Sequence, residues 1–238
     1  MGAERLPGHV HVLRGRGATP AADHAVSTSM VDRAATTERP AVRVWAPPRQ
    51  VAFGRRDRNA AGYDRARAAA SDRGFPPVDR QVGGHAVAYT GDTLAFALAR
   101  PVDDLRTGIG ARYEATLEDL TGALRACGVD PTRGEPPNSF CPGSYSLQAD
   151  GTLGATGKIA GLAQRVRADV VVVAGVVVAR DADAIAAVLE PVYDALDVPF
   201  DPSSVGSVAD AGGDPGRLRE AIEDALVGDV PRSIRTVG

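Results

Sequence analysis

A chain of 238 residues holds a single lysine, Lys158, beside 26 arginines. Arginine and lysine serve nearly alike on a solvated surface, so the imbalance reads first as a compositional bias toward Arg, Ala, Gly, Val and Asp. It also singles out position 158, because a flat guanidinium cannot replace a compact ammonium wherever chemistry needs one. Only two cysteines are present, Cys127 and Cys141, and four histidines are scattered at 9, 11, 24 and 85. That excludes a disulfide framework and any zinc spacing, so no metal site is expected and a reducing cytoplasm is the natural setting. No basic segment precedes an apolar run, and the longest apolar stretch, Val170 to Ala179, is about half the roughly 20 residues a membrane helix requires. A protein free of the membrane is expected. The net charge of −3, from 27 basic and 30 acidic residues, excludes a strongly basic nucleic-acid binder.

What is present favours one domain over residues 1–238, with a helical C-terminal portion at about 182–238. Glycine and proline are plentiful, with 27 and 17 copies, which implies many turns and short strands. His9 to Leu13 reads as an edge strand and Ala21 to Ala35 as a helix. Val42 to Trp45 and Val51 to Phe53 read as a two-strand unit turned by Pro47-Pro48. Ala61 to Arg73 reads as a helix, and Val78 to Val82 as a strand running into Gly83-Gly84. Ala86 to Tyr89 and Thr93 to Leu98 read as two strands joined by a Thr90-Gly91-Asp92 turn. Leu117, Leu120, Leu124 and Cys127 have helical spacing, with Gly128 placed to cap. Ser144 to Gln148 and Lys158 to Ala163 read as short strands around a turn, and Val170 to Ala179 as a buried strand. Helices are expected over Ala182 to Leu196 and Pro215 to Val227, the second capped by Asp214. Strands in runs, with helices between groups, argue for an α+β fold.

Three segments could carry chemistry. Arg80-Gln81-Val82-Gly83-Gly84-His85 places paired glycines between strands, where backbone can approach a phosphate, a carboxylate or an acyl chain, although a plain hairpin turn has the same pattern. Phe140-Cys141-Pro142-Gly143 holds a thiol on a rigid turn, whereas Cys127 lies on an apolar helical stripe. Gly157-Lys158-Ile159-Ala160-Gly161 opens a strand with the one ammonium and leaves space beside it. An ammonium near the thiol would favour the thiolate, or would hold an acyl oxygen as charge develops on it.

Together these segments resemble the lipoate–protein ligase and octanoyl/lipoyl transferase family. The resemblance rests on Val44-Trp45, Phe53-Gly54-Arg55-Arg56-Asp57, Arg80-x-x-Gly83-Gly84-x-Ala86-Val87, Cys141-Pro142-Gly143-Ser144-Tyr145-Ser146-Leu147 and Gly157-Lys158-Ile159-Ala160-Gly161-x-Ala163-Gln164-Arg165, and spans roughly residues 40 to 180. It implies a biotin/lipoate protein ligase-like catalytic domain, mixed or antiparallel sheets flanked by helices, with a tunnel for an acyl chain. It also implies Cys141 and Lys158 as catalytic residues, with Arg80, Gly83, Gly84, His85, Gly161 and Ala163 lining the substrate site. The Cys-Pro-Gly motif is similar to the amidotransferase branch. There an octanoyl or lipoyl group would pass through a thioester on Cys141 to a lysine of a lipoyl carrier domain, of the glycine cleavage H protein or 2-oxoacid dehydrogenase E2 type. That chemistry would need no cofactor beyond the acyl substrate. One alternative is an ATP-dependent lipoate ligase, bringing ATP and magnesium and leaving Cys141 incidental; another is a non-catalytic acyl-binding subunit. The family's common triple glycine is shortened here to Gly83-Gly84 followed by His85.

Overall fold

The computed structural model describes residues 6, 8–80, 83–102, 107–167 and 169–237. Within them the chain runs β1 (Val10–Gly15), α1 (Pro20–Thr37), β2 (Ala41–Trp45), β3 (Gln50–Phe53), α2 (Tyr63–Ser71), β4 (Pro77–Asp79), β5 (Val87–Tyr89), β6 (Leu94–Pro101) and α3 (Ile109–Ala126). It continues through β7 (Thr132–Arg133), β8 (Ser146–Asp150), β9 (Thr156–Arg167), β10 (Val170–Val177), α4 (Ala182–Ala195), α5 (Pro215–Val227) and β11 (Arg232–Val237). The fold is α+β, an arrangement of mixed sheets and helices.

Local chemistry sets the helix ends. Thr19 accepts from the Ala22 amide ahead of Pro20, and Asp214 accepts from the Gly216 amide ahead of Pro215, so each helix starts on a side-chain cap with proline in its first turn. The backbone turns left-handed at Gly128, just beyond α3, with φ at 88°.

An eight-stranded sheet has the order β11-β1-β2-β6-β10-β9-β8-β7, and a three-stranded sheet the order β4-β3-β5. This partition corrects two local expectations. β2 and β3, on either side of Pro47-Pro48, enter different sheets, and so do β5 and β6 on either side of Gly91. Each turn carries the chain from one sheet to the other instead of closing a hairpin. Two further expectations change. β1 is interior, because β11 pairs parallel to it from Val10↔Arg232 to Gly15↔Val237, and the C-terminal portion therefore ends in a strand. β4 stops at Asp79; the rest of the expected strand, Gln81 and Val82, lies outside the described residues.

Alternation along β6 divides the interior. Leu94, Phe96 and Leu98 face a core closed by Leu120 and Leu124 of α3 and by Leu218 and Ile222 of α5. Ala97 and Ala99 lie in a separate cluster with Met30, Val31 and Ala34 of α1. The small sheet packs with α2 and α4 through Val51, Phe53, Ala66, Ile185 and Leu189. Among the described residues no helix is long and apolar enough to cross a membrane.

Candidate active site

A cavity of about 640 Å³ is lined by one face of the large sheet, α1 and the small sheet. Its floor follows from the strand register. One row across β9, β10, β6 and β2 reads Gly161, Val176, Ala95, Trp45, and the next reads Ala163, Ala174, Ala97, Arg43. Five of these eight side chains are Gly or Ala, so the sheet leaves space that larger residues would fill. Met30, Val31, Trp45, Val87 and Val172 complete an apolar lining. The side chain of Arg43 is wholly buried at the end of its row, with Nη2 donating to Asp23 Oδ1 at 2.6 Å and to the Gly15 carbonyl at 3.0 Å, while Nη1 reaches Ser27 Oγ at 2.7 Å.

Cys141 lies on the wall of this cavity, part exposed. Its φ is +42°, a left-handed conformation that costs a non-glycine residue about 1–2 kcal/mol and that only firm anchoring maintains. The Cys141 amide donates to the Tyr193 hydroxyl at 2.6 Å, and that hydroxyl donates to the Ala86 carbonyl at 3.0 Å. At the sulfur, Arg80 Nη2 donates to Sγ at 3.2 Å and to the His85 carbonyl at 2.6 Å. Burial works against the charge on Arg80, but the neighbouring Cys141 and Tyr89 outweigh it and raise the guanidinium above its ordinary value. A Cβ on Gly84 would stand 2.7 Å from Sγ, so the second glycine of the pair is required by the thiol packed against it. The loop is seated on Gly54 in the same way, since a Cβ there would meet the Gly84 carbonyl oxygen at 2.0 Å.

Lys158 is 1% exposed, and its three ammonium protons converge on three acceptors. Nζ donates to Glu135 Oε2 at 2.6 Å, the Phe140 carbonyl at 2.9 Å and the Cys141 carbonyl at 2.8 Å. None of these three bonds goes to the Cys141 sulfur, the neighbour expected for the ammonium. Arg80 donates to the sulfur, and Lys158 grips the two carbonyls of the peptides on either side of the Cys141 α-carbon. Its burial depends on its neighbours: a Cβ on Gly157 would run 2.6 Å from Gly206, and a Cβ on Gly161 would sit 3.3 Å from Lys158 Cε. Glu135 is itself held, accepting from the Gly143 amide at 2.9 Å and the Ser146 hydroxyl at 2.8 Å.

Arg80, Gly83, Gly84, Cys141, Lys158, Gly161 and Ala163 all line the one cavity. His85 is not among its lining residues; Nδ1 pairs with Asp57 Oδ1 at 2.8 Å, and Asp57 Oδ2 accepts from the Gly54 amide at 2.9 Å. The imidazole therefore braces the loop from behind. Cys127 lies in the core, where burial pushes its thiol up. Glu135 and Tyr193 escaped sequence reasoning. Tyr193 had a signal: a phenol on the buried stripe of α4, after Ile185, Leu189 and Val192, needs a polar partner inside the fold. Glu135 had none, standing in a loop between prolines. Among the described residues no group of three or more His, Cys, Asp or Glu is placed to hold a metal.

Known proteins match this architecture. An octanoyl-[GcvH]:protein N-octanoyltransferase of Exiguobacterium sp. (strain ATCC BAA-1283 / AT1b) is 32% identical over 167 residues, 68% of this chain and 56% of that protein. The chain thus spans about half the length of the curated relatives it matches. A lipoate-protein ligase A bound with ATP aligns with a TM-score of 0.68 at 20% identity, over 97% of this chain and 89% of its own. The lipoate protein ligase from Thermoplasma acidophilum, described as bi-partite and studied with its E2 lipoyl domain, aligns at 0.68 and 17%, over 97% and 88%. The family model for the lipoyl protein ligase A/B catalytic domain matches residues 19–226, and with nearly nine-tenths of its length inside that match the chain belongs to this family.

Proposed function

We propose that the protein is an acyltransferase that moves an octanoyl or lipoyl group, held as a thioester on Cys141, onto a lysine of a lipoyl carrier domain. The observation that carries this reading is the placement of the Cys141 sulfur on the wall of an apolar cavity, 3.2 Å from the guanidinium of Arg80. An acyl chain fits the alanine-rich floor, and burying an octanoyl chain of about seven apolar carbons is worth about 6 kcal/mol at about 0.8 kcal/mol per methylene.

In the first half of the reaction the Cys141 sulfur attacks the acyl carbonyl carbon of the donor, a C–S bond forms, the bond from that carbon to the donor's leaving group breaks, and the leaving group takes up the proton that the thiol gives up. Arg80 donates a hydrogen bond to the sulfur, while Lys158 and Tyr193 fix the loop so that Sγ meets the carbonyl at a set position. In the second half the ε-amine of the acceptor lysine attacks the thioester, an amide forms, the amine gives up a proton, and the Cys141 thiolate is released. Catalytic roles go to Cys141 and Arg80. Lys158 is a positioning residue whose ammonium, with all three protons donated, reaches an acyl oxygen only by exchanging one of its present acceptors.

No cofactor beyond the acyl substrate enters this scheme, and a thiol that must stay reduced suits the cytoplasm. The activity for which the Exiguobacterium relative is named, octanoyl transfer from GcvH to protein, supports a GcvH-type donor and a protein acceptor. The test is incubation with an octanoyl-loaded carrier and an apo lipoyl domain, with and without ATP, followed by intact-protein mass spectrometry. The expected result is octanoylated acceptor without ATP, lost in Cys141→Ser. Product formed only with ATP, and at an equal rate in Cys141→Ser, would establish an ATP-dependent ligase in its place.

A further inference from the structure

Beside the acyl cavity lies a second, polar one of about 480 Å³, lined by His24, Arg55, Gly83, Gln164, Arg165, Val166 and Arg167. It shares His24, Gly83, Gln164 and Arg165 with the first, so the two adjoin where the double-glycine loop meets α1 and β9. Three guanidiniums and an imidazole from three separate elements meet there. Arg167 has an ion pair with Asp32 at 3.0 Å. Among the described residues, Arg55, Arg165 and His24 have no carboxylate partner. Arg165 is half-buried and Gln164 Oε1 is buried without a hydrogen-bond donor. Burial, and then the charge of Arg167, lower the Arg165 guanidinium below its ordinary value.

An unneutralised, half-buried guanidinium beside a second one is unfavourable in the free protein, and an incoming anion relieves it. Composition does not account for the cluster, because the whole chain carries a net charge of −3. An acidic partner gains nothing from the net charge of the chain and is attracted by this cluster, which orients its approach. The cations come from α1, the turn after β3 and the end of β9, and two of them, His24 and Arg55, are exposed. That spread is broader than one small anion occupies and suits several carboxylates on one protein face.

We infer that His24, Arg55, Arg165 and Arg167 form a docking surface for carboxylates that flank the acceptor lysine on its carrier domain. The inference rests on the proposed transfer reaction for the identity of the partner, but it is read by binding and needs no turnover.

The experiment measures fluorescence anisotropy of a labelled apo lipoyl domain against wild type, Arg55→Glu/Arg167→Glu and Asp32→Asn, from about 20 to about 500 mM NaCl. The expected result is binding that weakens steeply with salt, about tenfold weaker in the double charge reversal at low salt and converging with wild type at high salt. Asp32→Asn, which frees Arg167 from its internal partner, tightens binding. A variant that lost binding only through misfolding would lose it at every salt concentration, and that outcome overturns the electrostatic assignment. So does wild type without affinity at low salt, or charge reversal without effect. Competition by inorganic phosphate beyond that of chloride at equal ionic strength would place a phosphate there instead and also overturn it. The thioester reading stands or falls separately, on whether Cys141 acquires the acyl mass.

Discussion

Two buried cations, Lys158 in the lining of the cavity and Arg43 bonded to its lining residues Asp23 and Ser27, are held differently. Near Cys141 stands Lys158, whose ammonium meets one carboxylate and two consecutive carbonyls at 2.6–2.9 Å. At the end of the alanine row stands Arg43, whose fork spreads over Asp23, Ser27 and the Gly15 carbonyl, while Asp23 also accepts from the Trp45 indole at 2.8 Å. Both cations are desolvated; burial lowers the Arg43 guanidinium, and Asp23 works against that shift. Arg43 ties α1 to the sheet, a job for a planar fork with donors pointing in several directions. Lys158 must bring three protons to acceptors crowded around one point beside Gly161, which a guanidinium cannot do. The one position in the chain that resists arginine is therefore the one where convergence, and not charge alone, is required.

Exchanging the two cations breaks this comparison most sharply. Lys158→Ala leaves the Glu135 carboxylate without its cation and the Cys141 loop without its grip, and is expected to destabilise the protein by about 3 kcal/mol and to abolish acyl loading of Cys141. Lys158→Arg keeps the charge and is expected to lower acyl loading about 100-fold, since a displacement of about 1 Å at the reacting group suffices for that. Arg43→Lys is expected to lower stability by about 1–2 kcal/mol in denaturant unfolding while acyl loading stays within about threefold of wild type. Equal loss of activity in Lys158→Arg and Arg43→Lys would erase the distinction between the two ends.

A smaller effect separates holding the loop from contacting the sulfur. Arg80→Ala is expected to slow iodoacetamide alkylation of Cys141 about tenfold at neutral pH, with Cys127 unreactive in both proteins because it is buried on the helical stripe. Alkylation in Lys158→Arg should change less than in Arg80→Ala, because its altered side chain does not contact the sulfur. The smallest effect belongs to neither end. Burial pushes the Asp119 carboxyl up to about 6 from 3.8, so the neutral acid is favoured in the folded state. The stability this brings is complete below about pH 4 and is lost as pH rises through about 6. Asp119→Asn is expected to raise the melting temperature by about 2 °C at pH 7.5 and to leave it unchanged at pH 4.

Much of the chemistry was legible because it sat in residues that break a local pattern. One lysine among arginines, a thiol between Phe140 and Pro142, and paired glycines before His85 each stood out in the chain. The helices from Ala182 and Pro215 were legible for the usual reason, a stripe of apolar residues behind a clear start. The division into two sheets was not, because Pro47-Pro48 and Thr90-Gly91-Asp92 signal a change of direction without saying whether the next strand returns to its neighbour or leaves for another sheet. Nor was the exchange of roles at the thiol. Lys158 and Arg80 are both cations aimed at one loop, and only the folded loop, seated through Gly84 on Gly54, shows that Arg80 meets the sulfur and Lys158 the carbonyls.

The central claim is that Cys141 carries the acyl group. Wild-type protein mixed with an octanoyl thioester donor and no ATP, then digested and mapped by mass spectrometry, is predicted to show an octanoyl adduct on the Cys141 peptide that neutral hydroxylamine removes and that an apo lipoyl domain discharges. An unmodified Cys141 peptide while the acceptor gains octanoate would contradict the account.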